Sequence, residues 1–242
     1  MCGIAGTIYS KNYLSGIEVT SEDLFSLLDR IKDGDAEPVE LLDLAWKYKS
    51  NINFLRFCKN SIEQKEIETF CSKVFFYSEE KKKELPLIDK SSSMELYKRK
   101  VNEWENLVDA TWFLSEEINK TKALIETLSN SLLTDLEDAS IILFRDITKI
   151  ISAIDNRLEL RGRDSFGLSI SMTSKSFSPA DQINHIYERE KEAVYYTKRD
   201  SAETYTFVFK ACNSIGSLGD NANELKKLIS ENEFFFNLIN KV

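Results

Sequence analysis

The first two residues of the chain, Met1 and Cys2, can give rise to a nucleophilic centre. Methionine aminopeptidase removes an initiator methionine when the next side chain is as small as that of Cys2. The product then carries a thiol and a free α-amine on one residue. The amine titrates near ~8 and the thiol near ~8.5, so the amine can take the thiol proton and return it to a leaving group. Nucleophile and base then come from one residue, as in enzymes whose N-terminal threonine is activated by its own amine.

The residues that follow Cys2 favour a β-strand over residues 1–10, because several of them are β-branched or aromatic. Gly3 allows a tight bend behind the nucleophile, and Gly6 allows another backbone to approach closely. An ordinary first strand that contains a buried cysteine explains the same residues, since short motifs also arise by chance.

Three stretches of the chain resemble class II glutamine amidotransferases, which are N-terminal-nucleophile (Ntn) hydrolases. Residues 1–6, Met-Cys-Gly-Ile-Ala-Gly, resemble the opening of that family. Residues 158–167, Leu-Glu-Leu-Arg-Gly-Arg-Asp-Ser-Phe-Gly, resemble the Arg-Gly-x-Asp-Ser-x-Gly segment of its glucosamine-6-phosphate synthase branch. Residues 215–221, Ile-Gly-Ser-Leu-Gly-Asp-Asn, are similar to a segment of amidotransferase domains fused to sugar-isomerase modules. Asparagine synthetase also opens with Met-Cys-Gly-Ile, but the second stretch favours the sugar branch.

The resemblance implies that Cys2 acts as the nucleophile of a glutaminase reaction. Its thiolate would attack the side-chain amide of glutamine and expel ammonia, and water would hydrolyse the thioester to glutamate. The ammonia would pass to a sugar-phosphate aminotransferase or isomerase domain, as in glutamine–fructose-6-phosphate aminotransferases. The partners so implied are glutamine and that C-terminal synthase domain, with no cofactor.

The resemblance also places Arg161, Gly162, Asp164 and Ser165 beside the nucleophile, as substrate-binding residues or as the wall of the active site. Arg161 would then favour the thiolate electrostatically. A structural interpretation fits equally well: Asp164 and Ser165 cap a tight helix-to-strand turn, and Arg161 pairs with a carboxylate. Both interpretations remain open at this point.

Parts of the family's glutamine site are missing from this sequence. The family takes its oxyanion donors, each worth ~3 kcal/mol, from an Asn-Gly pair. It binds the glutamine carboxylate with the arginine of a His-x-Arg-Trp-Ala-type segment. Neither segment is among the 242 residues. We therefore expect the chain to be the N-terminal part of a longer amidotransferase, with little or no glutaminase activity of its own.

Composition and charge exclude several other classes of function. A net charge of −8 argues against nucleic acid as the main partner, because phosphate binding needs clustered lysine and arginine. The four cysteines have no metal-binding spacing, so no metal is expected, and they suit a reducing compartment. No secretory segment or bilayer-spanning run is present, so we expect a cytoplasmic protein without a membrane partner. Self-association into a homo-oligomer is left open.

The hydrophobic periodicity predicts a largely helical chain with a few strands towards its end. Helices are predicted after a cap at Thr20 or Ser21, at Pro38, and over residues 52–57, 61–81, 93–130, 134–156 and 221–230, and strands over 168–172, 193–198 and 205–211. The fold class is therefore α+β, and the resemblance makes it an incomplete Ntn-hydrolase αββα sandwich with a large helical insertion. Residues 1–20 and 156–242 would form the partial amidotransferase domain, and residues 21–155 the insertion.

A second hypothesis assigns the chain to another class of protein. The helices would then form a non-catalytic interaction module carried on a degenerate amidotransferase layer. Retention of Met1 would favour this alternative, because it blocks the α-amine that the chemistry of Cys2 needs.

Overall fold

The structure is a computed structural model of the 242-residue chain and describes residues 16–87, 94–153, 166–174, 187–189, 192–199, 202–212 and 219–239. The described residues divide into two compact units. We call residues 16–122 the helical unit and the described residues from 123 to 239 the sheet unit. Helices and one antiparallel sheet together confirm the predicted α+β class.

The helical unit is built from helices that follow the predicted periodicity closely. Its elements are α1 (Ser21–Asp33), α2 (Pro38–Lys47), α3 (Asn51–Lys59), α4 (Ser61–Glu84) and α5 (Met94–Trp112), and α6 (Ile118–Ser129) spans the division between the units. The apolar side chains of α1, α3 and α4 meet in the interior, where Leu24, Phe54 and Phe70 are fully buried. This burial, more than helix propensity, stabilises helices of such length.

Helix α1 begins and ends where the sequence predicts, because local hydrogen bonds fix both ends. The Thr20 hydroxyl accepts from the Asp23 N–H at 3.2 Å, and the Asp23 carboxylate accepts from the Thr20 N–H at 2.8 Å. This reciprocal pair is a capping box. Gly34 ends the helix with φ of 84°, a left-handed conformation that a side chain disfavours.

The predicted helix over residues 93–130 is interrupted by a π-helical turn, Phe113–Glu117, between α5 and α6. The Ile118 N–H donates to the Phe113 carbonyl, five residues earlier, where an α-helix would use the fourth. The extra residue in this turn lets both Phe113 and Leu114 point into the interior. Periodicity alone did not predict the turn.

The sheet unit contains a four-stranded antiparallel sheet in the order β1-β4-β3-β2. Its strands are β1 (Phe166–Ser174), β2 (Tyr187–Arg189), β3 (Glu192–Arg199) and β4 (Ala202–Ala211). The register pairs Phe166 with Ala211 between β1 and β4, and Arg199 with Ala202 between β3 and β4. The three predicted strands are confirmed, whereas the three-residue strand β2 was not predicted.

One face of the sheet is apolar and is covered by two helices of the same unit, α8 (Asp220–Ser230) and α9 (Glu233–Ile239). Helix α7 (Asp138–Ala153) packs against these helices. Alternate residues of β4 on this face, Tyr205, Phe207 and Phe209, are fully buried. The Phe235 ring of α9 meets Phe207 edge-on with centroids 5.0 Å apart. It meets the Phe144 ring of α7 in the same way at 6.1 Å. Aromatic rings therefore join three layers of secondary structure into one core.

Two buried polar contacts fix α9 in this position. The Ser140 hydroxyl of α7 donates to the Ile239 carbonyl at 2.7 Å. Asn232 accepts from the Phe235 N–H at 2.8 Å, so its side chain satisfies the start of the helix. The Asn232 amide also donates to the Glu192 carboxylate on β3 at 2.9 Å. The run of phenylalanines is thus held against the sheet from both ends.

None of the described helices is both long enough and apolar enough to cross a membrane. The domain boundaries taken from the resemblance, 1–20 with 156–242 around 21–155, remain a prediction. Helix α7, which the prediction counts with the insertion, shares the aromatic core of the sheet unit.

We expect Phe235→Ala to lower the free energy of unfolding of the sheet unit by about 3–5 kcal/mol, because it leaves a cavity among fixed rings. Tyr195→Ala is the matched control: this ring lies on the other face of the sheet with 44% of its surface exposed, and its removal should cost less than about 1 kcal/mol. Urea denaturation followed by far-UV circular dichroism measures both. Equal losses in the two variants would show that the aromatic core does not stabilise the unit.

Candidate functional site

The five site residues predicted from the sequence, Cys2, Arg161, Gly162, Asp164 and Ser165, lie outside the described residues. The closest described position in sequence is Phe166, the first residue of β1, which follows Ser165 directly. The structure therefore describes the strand that leaves the Arg-Gly-x-Asp-Ser stretch but not the stretch itself. The predicted roles of these five residues remain predictions.

Strand β1 lies at the edge of the described sheet. It pairs with β4 along its whole length, from Phe166 opposite Ala211 to Ser174 opposite Glu203. No other described strand pairs with its second side. In an antiparallel ladder half of the N–H and C=O groups of an edge strand point away from its partner. Those groups of β1 are a template on which a further strand can pair.

The second face of the sheet carries hydroxyl groups instead of apolar side chains. Ser171 and Thr206 lie opposite each other with their hydroxyl oxygens 2.9 Å apart, and Thr173 and Thr204 repeat the arrangement at 2.9 Å. These hydroxyls hydrogen-bond to one another, and the described residues contain no histidine that could activate them. The second face therefore has polar contacts but, among the described residues, no activated nucleophile. On the opposite, apolar face, Lys198 of β3 donates to the Glu203 carboxylate of β4 at 2.8 Å, which raises the pKa of its ammonium group and removes it as a base.

A group of ionisable side chains lies inside the helical unit, around Glu63 at the start of α4. The Tyr48 hydroxyl donates to Oε1 of Glu63, and Nη2 of Arg56 lies 3.2 Å from the same oxygen. Nη2 of Arg56 also donates to the Val19 carbonyl. Burial, followed by the hydrogen bond and negative charge of Glu63, raises the pKa of Tyr48 far above its ordinary value. The cluster thus joins α2, α3, α4 and the segment before α1.

Asn53 extends this cluster and leaves none of its own polar atoms unused. Its Oδ1 accepts from the Val19 N–H at 3.0 Å, and its Nδ2 donates to the carbonyls of Ile17 at 2.9 Å and Lys47 at 3.0 Å. The side chain is fully buried, so these bonds satisfy backbone groups that water does not reach. They fix residues 17–19 against the start of α3.

The cluster is enclosed, so it serves structure and not catalysis. Tyr48 has no exposed surface and Glu63 only 6%, which leaves a substrate no route to the acid and its neighbours. A buried charge with its hydrogen bonds satisfied specifies how helices pack, but removing one partner is costly. We therefore exclude this group as an active site.

A second charged group lies on the surface beside the π-helical turn. The rings of Trp46 and Phe113 stack with centroids 5.3 Å apart, and the Lys49 ammonium lies 4.6 Å from the Trp46 centroid. The same ammonium group is 2.8 Å from the Glu117 carboxylate. Residues of the π-helical turn and residues in and just after α2 form this contact. The charges of Lys49 and Glu117 neutralise each other. It anchors the turn and offers no unpaired ligand group.

The three described cysteines differ in exposure. Cys58 and Cys71 are buried, whereas Cys212 is exposed. Burial, with a smaller effect of the Glu68 charge, raises the pKa of Cys71 to about 12, so this thiol is inert at neutral pH. Among the described residues no group of three or more His, Cys, Asp or Glu side chains is placed to hold a metal ion. The exposed Cys212 therefore serves as an internal reference for thiol reactivity.

The sequence analysis missed the cluster around Glu63. One part of the signal was present, because Asn60 and Glu63 have the spacing of an N-cap and its third helical residue; Asn60 does cap α4 through the Ile62 and Glu63 N–H groups. The pairing with Tyr48, which lies 15 residues earlier, depends on how α2 and α4 pack and has no local pattern.

Comparisons of the chain with protein-family models, with curated proteins and with solved structures find no match.

We expect Tyr48→Phe to destabilise the helical unit by about 1.5–3 kcal/mol at neutral pH, because the buried Glu63 loses a donor. The effect depends on pH in a defined direction. In the unfolded chain Tyr48 has its ordinary pKa of 10.0. In the folded chain its pKa is raised, so the hydroxyl keeps its proton at pH values above 10.0. Its contribution is therefore complete below about pH 10 and is lost as the pH rises further towards the folded pKa.

Urea titrations of the wild type and of Tyr48→Phe at neutral pH and at about pH 11 measure this change. Tyr77→Phe, a partly exposed tyrosine on α4, is the control and should match the wild type at both pH values. The difference between wild type and Tyr48→Phe should shrink at the higher pH. A difference that is constant with pH would contradict the assigned hydrogen bond.

Proposed function

We propose that this chain is the nucleophile-bearing part of a class II glutamine amidotransferase, with Cys2 as the attacking residue. The support comes from two sequence stretches, residues 1–6 and 158–167, in the order in which the family has them. The single observation that carries the proposal further is that the second stretch leads directly into β1, an edge strand of the described sheet. A strand formed by residues 1–10 would find its partner there.

The direction of that pairing decides whether the chemistry is feasible. If residues 1–10 ran parallel to β1, Cys2 and Ser165 would lie at the same end of the sheet. Cys2 is near the start of the predicted strand, and Ser165 immediately precedes β1. If they ran antiparallel, Cys2 would lie near Ser174, which a nine-residue strand places roughly 30 Å from its start. We therefore propose a parallel pairing, for which the helices between the two segments provide the crossover that parallel strands require.

In this arrangement Cys2 would perform the first half of the reaction. Its thiolate forms a bond to the amide carbon of glutamine, and the C–N bond breaks as the α-amine returns the proton to the leaving ammonia. Water then attacks the thioester, and glutamate leaves as the thiol is regenerated. Arg161 would lie near the sulfur and favour its thiolate form, while Gly162, Asp164 and Ser165 would shape the wall.

The remaining parts of the proposed enzyme are not encoded in these residues. The oxyanion Asn-Gly pair and the glutamine-binding arginine segment would come from a further segment of the protein, together with the sugar-phosphate domain that accepts ammonia. A thiol nucleophile needs a reducing environment, so we place the protein in the cytoplasm. The proposed fold is an incomplete Ntn-hydrolase sandwich, and the helices and antiparallel sheet of the sheet unit are compatible with a part of it. In such a sandwich a second sheet would pack against the first through a core that excludes water. The hydroxyl-bearing face of the described sheet is the feature that fits this packing least well.

A second candidate function, a non-catalytic interaction module, has one observation in its favour. The helical unit has a compact core of its own and also exposes large apolar side chains. Phe76 is 69% exposed, Trp112 56% and Trp46 50%. Exposed aromatic residues are enriched at sites where proteins bind each other.

We expect Met1 to be removed in cells and Cys2 to react with iodoacetamide faster than Cys212 at about pH 6.5, where an ordinary thiol is mostly protonated. Intact-mass measurement and peptide mapping give both results on the chain as it stands. Buried Cys58 and Cys71 should stay unmodified until the protein unfolds. Retained Met1 would favour the interaction module.

Arg161→Gln tests whether the two resembling stretches meet in space. We expect this change to slow the alkylation of Cys2 several-fold, because a nearby positive charge stabilises the thiolate. Arg163→Gln removes the same charge two residues away, at the variable position of the motif, and should leave the rate unchanged. Equal rates in both variants and the wild type would place Arg161 away from the sulfur.

We also expect this chain, incubated alone with glutamine, to release little or no glutamate, since the oxyanion donors and the arginine segment are missing. An enzyme-coupled glutamate assay with Cys2→Ala as the blank measures it. Turnover in the wild type that disappears in Cys2→Ala would show that these residues already contain a complete site.

A further inference from the structure

We propose that a cavity between α6, α7 and α8 of the sheet unit binds a small amphipathic carboxylate, with an apolar body of about eight carbon atoms. The cavity has a volume of about 240 Å³ and opens to the surface on one side. This site is separate from the proposed amidotransferase chemistry and does not depend on it.

The floor of the cavity is apolar. Leu128 of α6 and Ile151 of α7 line it and are 3% and 1% exposed, and Leu124 forms a further part of the wall. A volume of about 240 Å³ corresponds to about eight water molecules at about 30 Å³ each, and an apolar floor holds those waters poorly. An aliphatic chain of similar volume would replace them favourably.

Three of the four hydroxyl groups on the wall are committed as donors to the backbone. Thr148 donates to the Arg145 carbonyl at 2.7 Å, Thr127 to the Ala123 carbonyl at 2.9 Å, and Ser230 to the Lys227 carbonyl at 3.0 Å. These three offer the cavity only lone pairs, and Ser152 adds one neutral hydroxyl. An anionic ligand must therefore obtain charged donors elsewhere on the rim.

Two lysines of α8, Lys226 and Lys227, supply those donors. Lys226 is half-buried as a residue, and its ammonium group gives one exposed hydrogen bond, to the Asn223 side chain at 3.3 Å, which leaves two of its three donors for a ligand. Within the described part of the chain neither lysine lies within ion-pair distance of a carboxylate. The helix dipole accounts for Lys227, which lies in the last turn of α8, but it does not explain why both lysines line the cavity.

Together the floor and the rim specify the class of ligand. The apolar floor selects an aliphatic body, and the two lysines among the lining residues select an anionic head in a protein whose net charge is −8. A singly charged carboxylate matches one ammonium group, since adjacent residues of a helix do not face the same way. The volume is below the range typical of drug-sized ligands, so a ligand of about ten non-hydrogen atoms fits.

Octanoate is the probe, and octanamide is its neutral counterpart of the same size. In methyl-detected NMR titrations of the whole chain we expect octanoate to shift the methyl signals of Leu124, Leu128 and Ile151, with a Kd at or below about 1 mM for a ligand of about ten atoms. Octanamide should bind about tenfold more weakly, the difference expected for one charge-assisted hydrogen bond. Acetate, which lacks the apolar body, should cause no shift.

Variants on the rim test the same assignment without disturbing the core. The double variant Lys226→Gln with Lys227→Gln should lose about tenfold in affinity for octanoate and bind octanamide unchanged. Lys210→Gln, which removes an exposed lysine of β4, is the matched control and should bind octanoate as the wild type does. Thr127→Trp, at the exposed mouth, should block both ligands.

Three results would overturn the assignment. Equal affinities for octanoate and octanamide, or an unchanged affinity for octanoate in the double lysine variant, would show that the site does not recognise the negative charge. The absence of methyl shifts at about 10 mM octanoate would show that the cavity does not bind this class of ligand. Shifts that persist in Thr127→Trp would mean that the ligand binds elsewhere.

Discussion

The alternation of side chains along β1, β3 and β4 is the constraint on which the sheet unit depends. Every second residue of β4 is buried under helices, so a shift of register by one residue would bring lysine and threonine into the core. Phe235 enforces this register because its ring fits between Phe207, Phe209 and Phe144. Once the apolar face is fixed, the side of β1 on which no described strand pairs and the position of its first residue follow. The segment that precedes Phe166 is delivered to one end of an edge strand.

The helical unit reaches a defined packing by a different physical route. Its interior contains a buried hydrogen-bond network around Glu63 and Asn53 in addition to its aliphatic side chains. Apolar contacts tolerate small rotations of a helix, whereas a hydrogen bond to a buried carboxylate does not. Tyr48 and Arg56 approach the same carboxylate oxygen from two helices, so each limits the position of the other. The packing of this unit is therefore specific, but it requires that the Glu63 carboxylate be removed from water, which costs free energy.

Local signals made much of the fold predictable, and non-local contacts account for what was missed. Thr20 and Gly34 mark the ends of α1 through bonds to residues three to five positions away, which is why the sequence predicts them well. The strands β1, β3 and β4 were recognisable from their period of two. The π-helical turn, which begins at Phe113, was not, because buried residues on both sides of it, Leu107, Ala110, Leu114 and Ile118, keep the spacing of three or four that an uninterrupted helix also has. The candidate nucleophile at Cys2 was identified from its position behind Met1 and from resemblance, and it lies outside the described residues.

The distribution of aromatic side chains between the two units has a spectroscopic consequence. All three tryptophans of the chain, Trp46, Trp104 and Trp112, belong to the helical unit, whereas the sheet unit contains only phenylalanine and tyrosine. Intrinsic fluorescence excited at the red edge of the indole band therefore reports on one unit and is blind to the other. The stacking of Trp46 on Phe113 under the Lys49 ammonium makes that emission sensitive to the π-helical turn in particular. The same chain thus carries a built-in optical label for half of its structure, with no engineered probe.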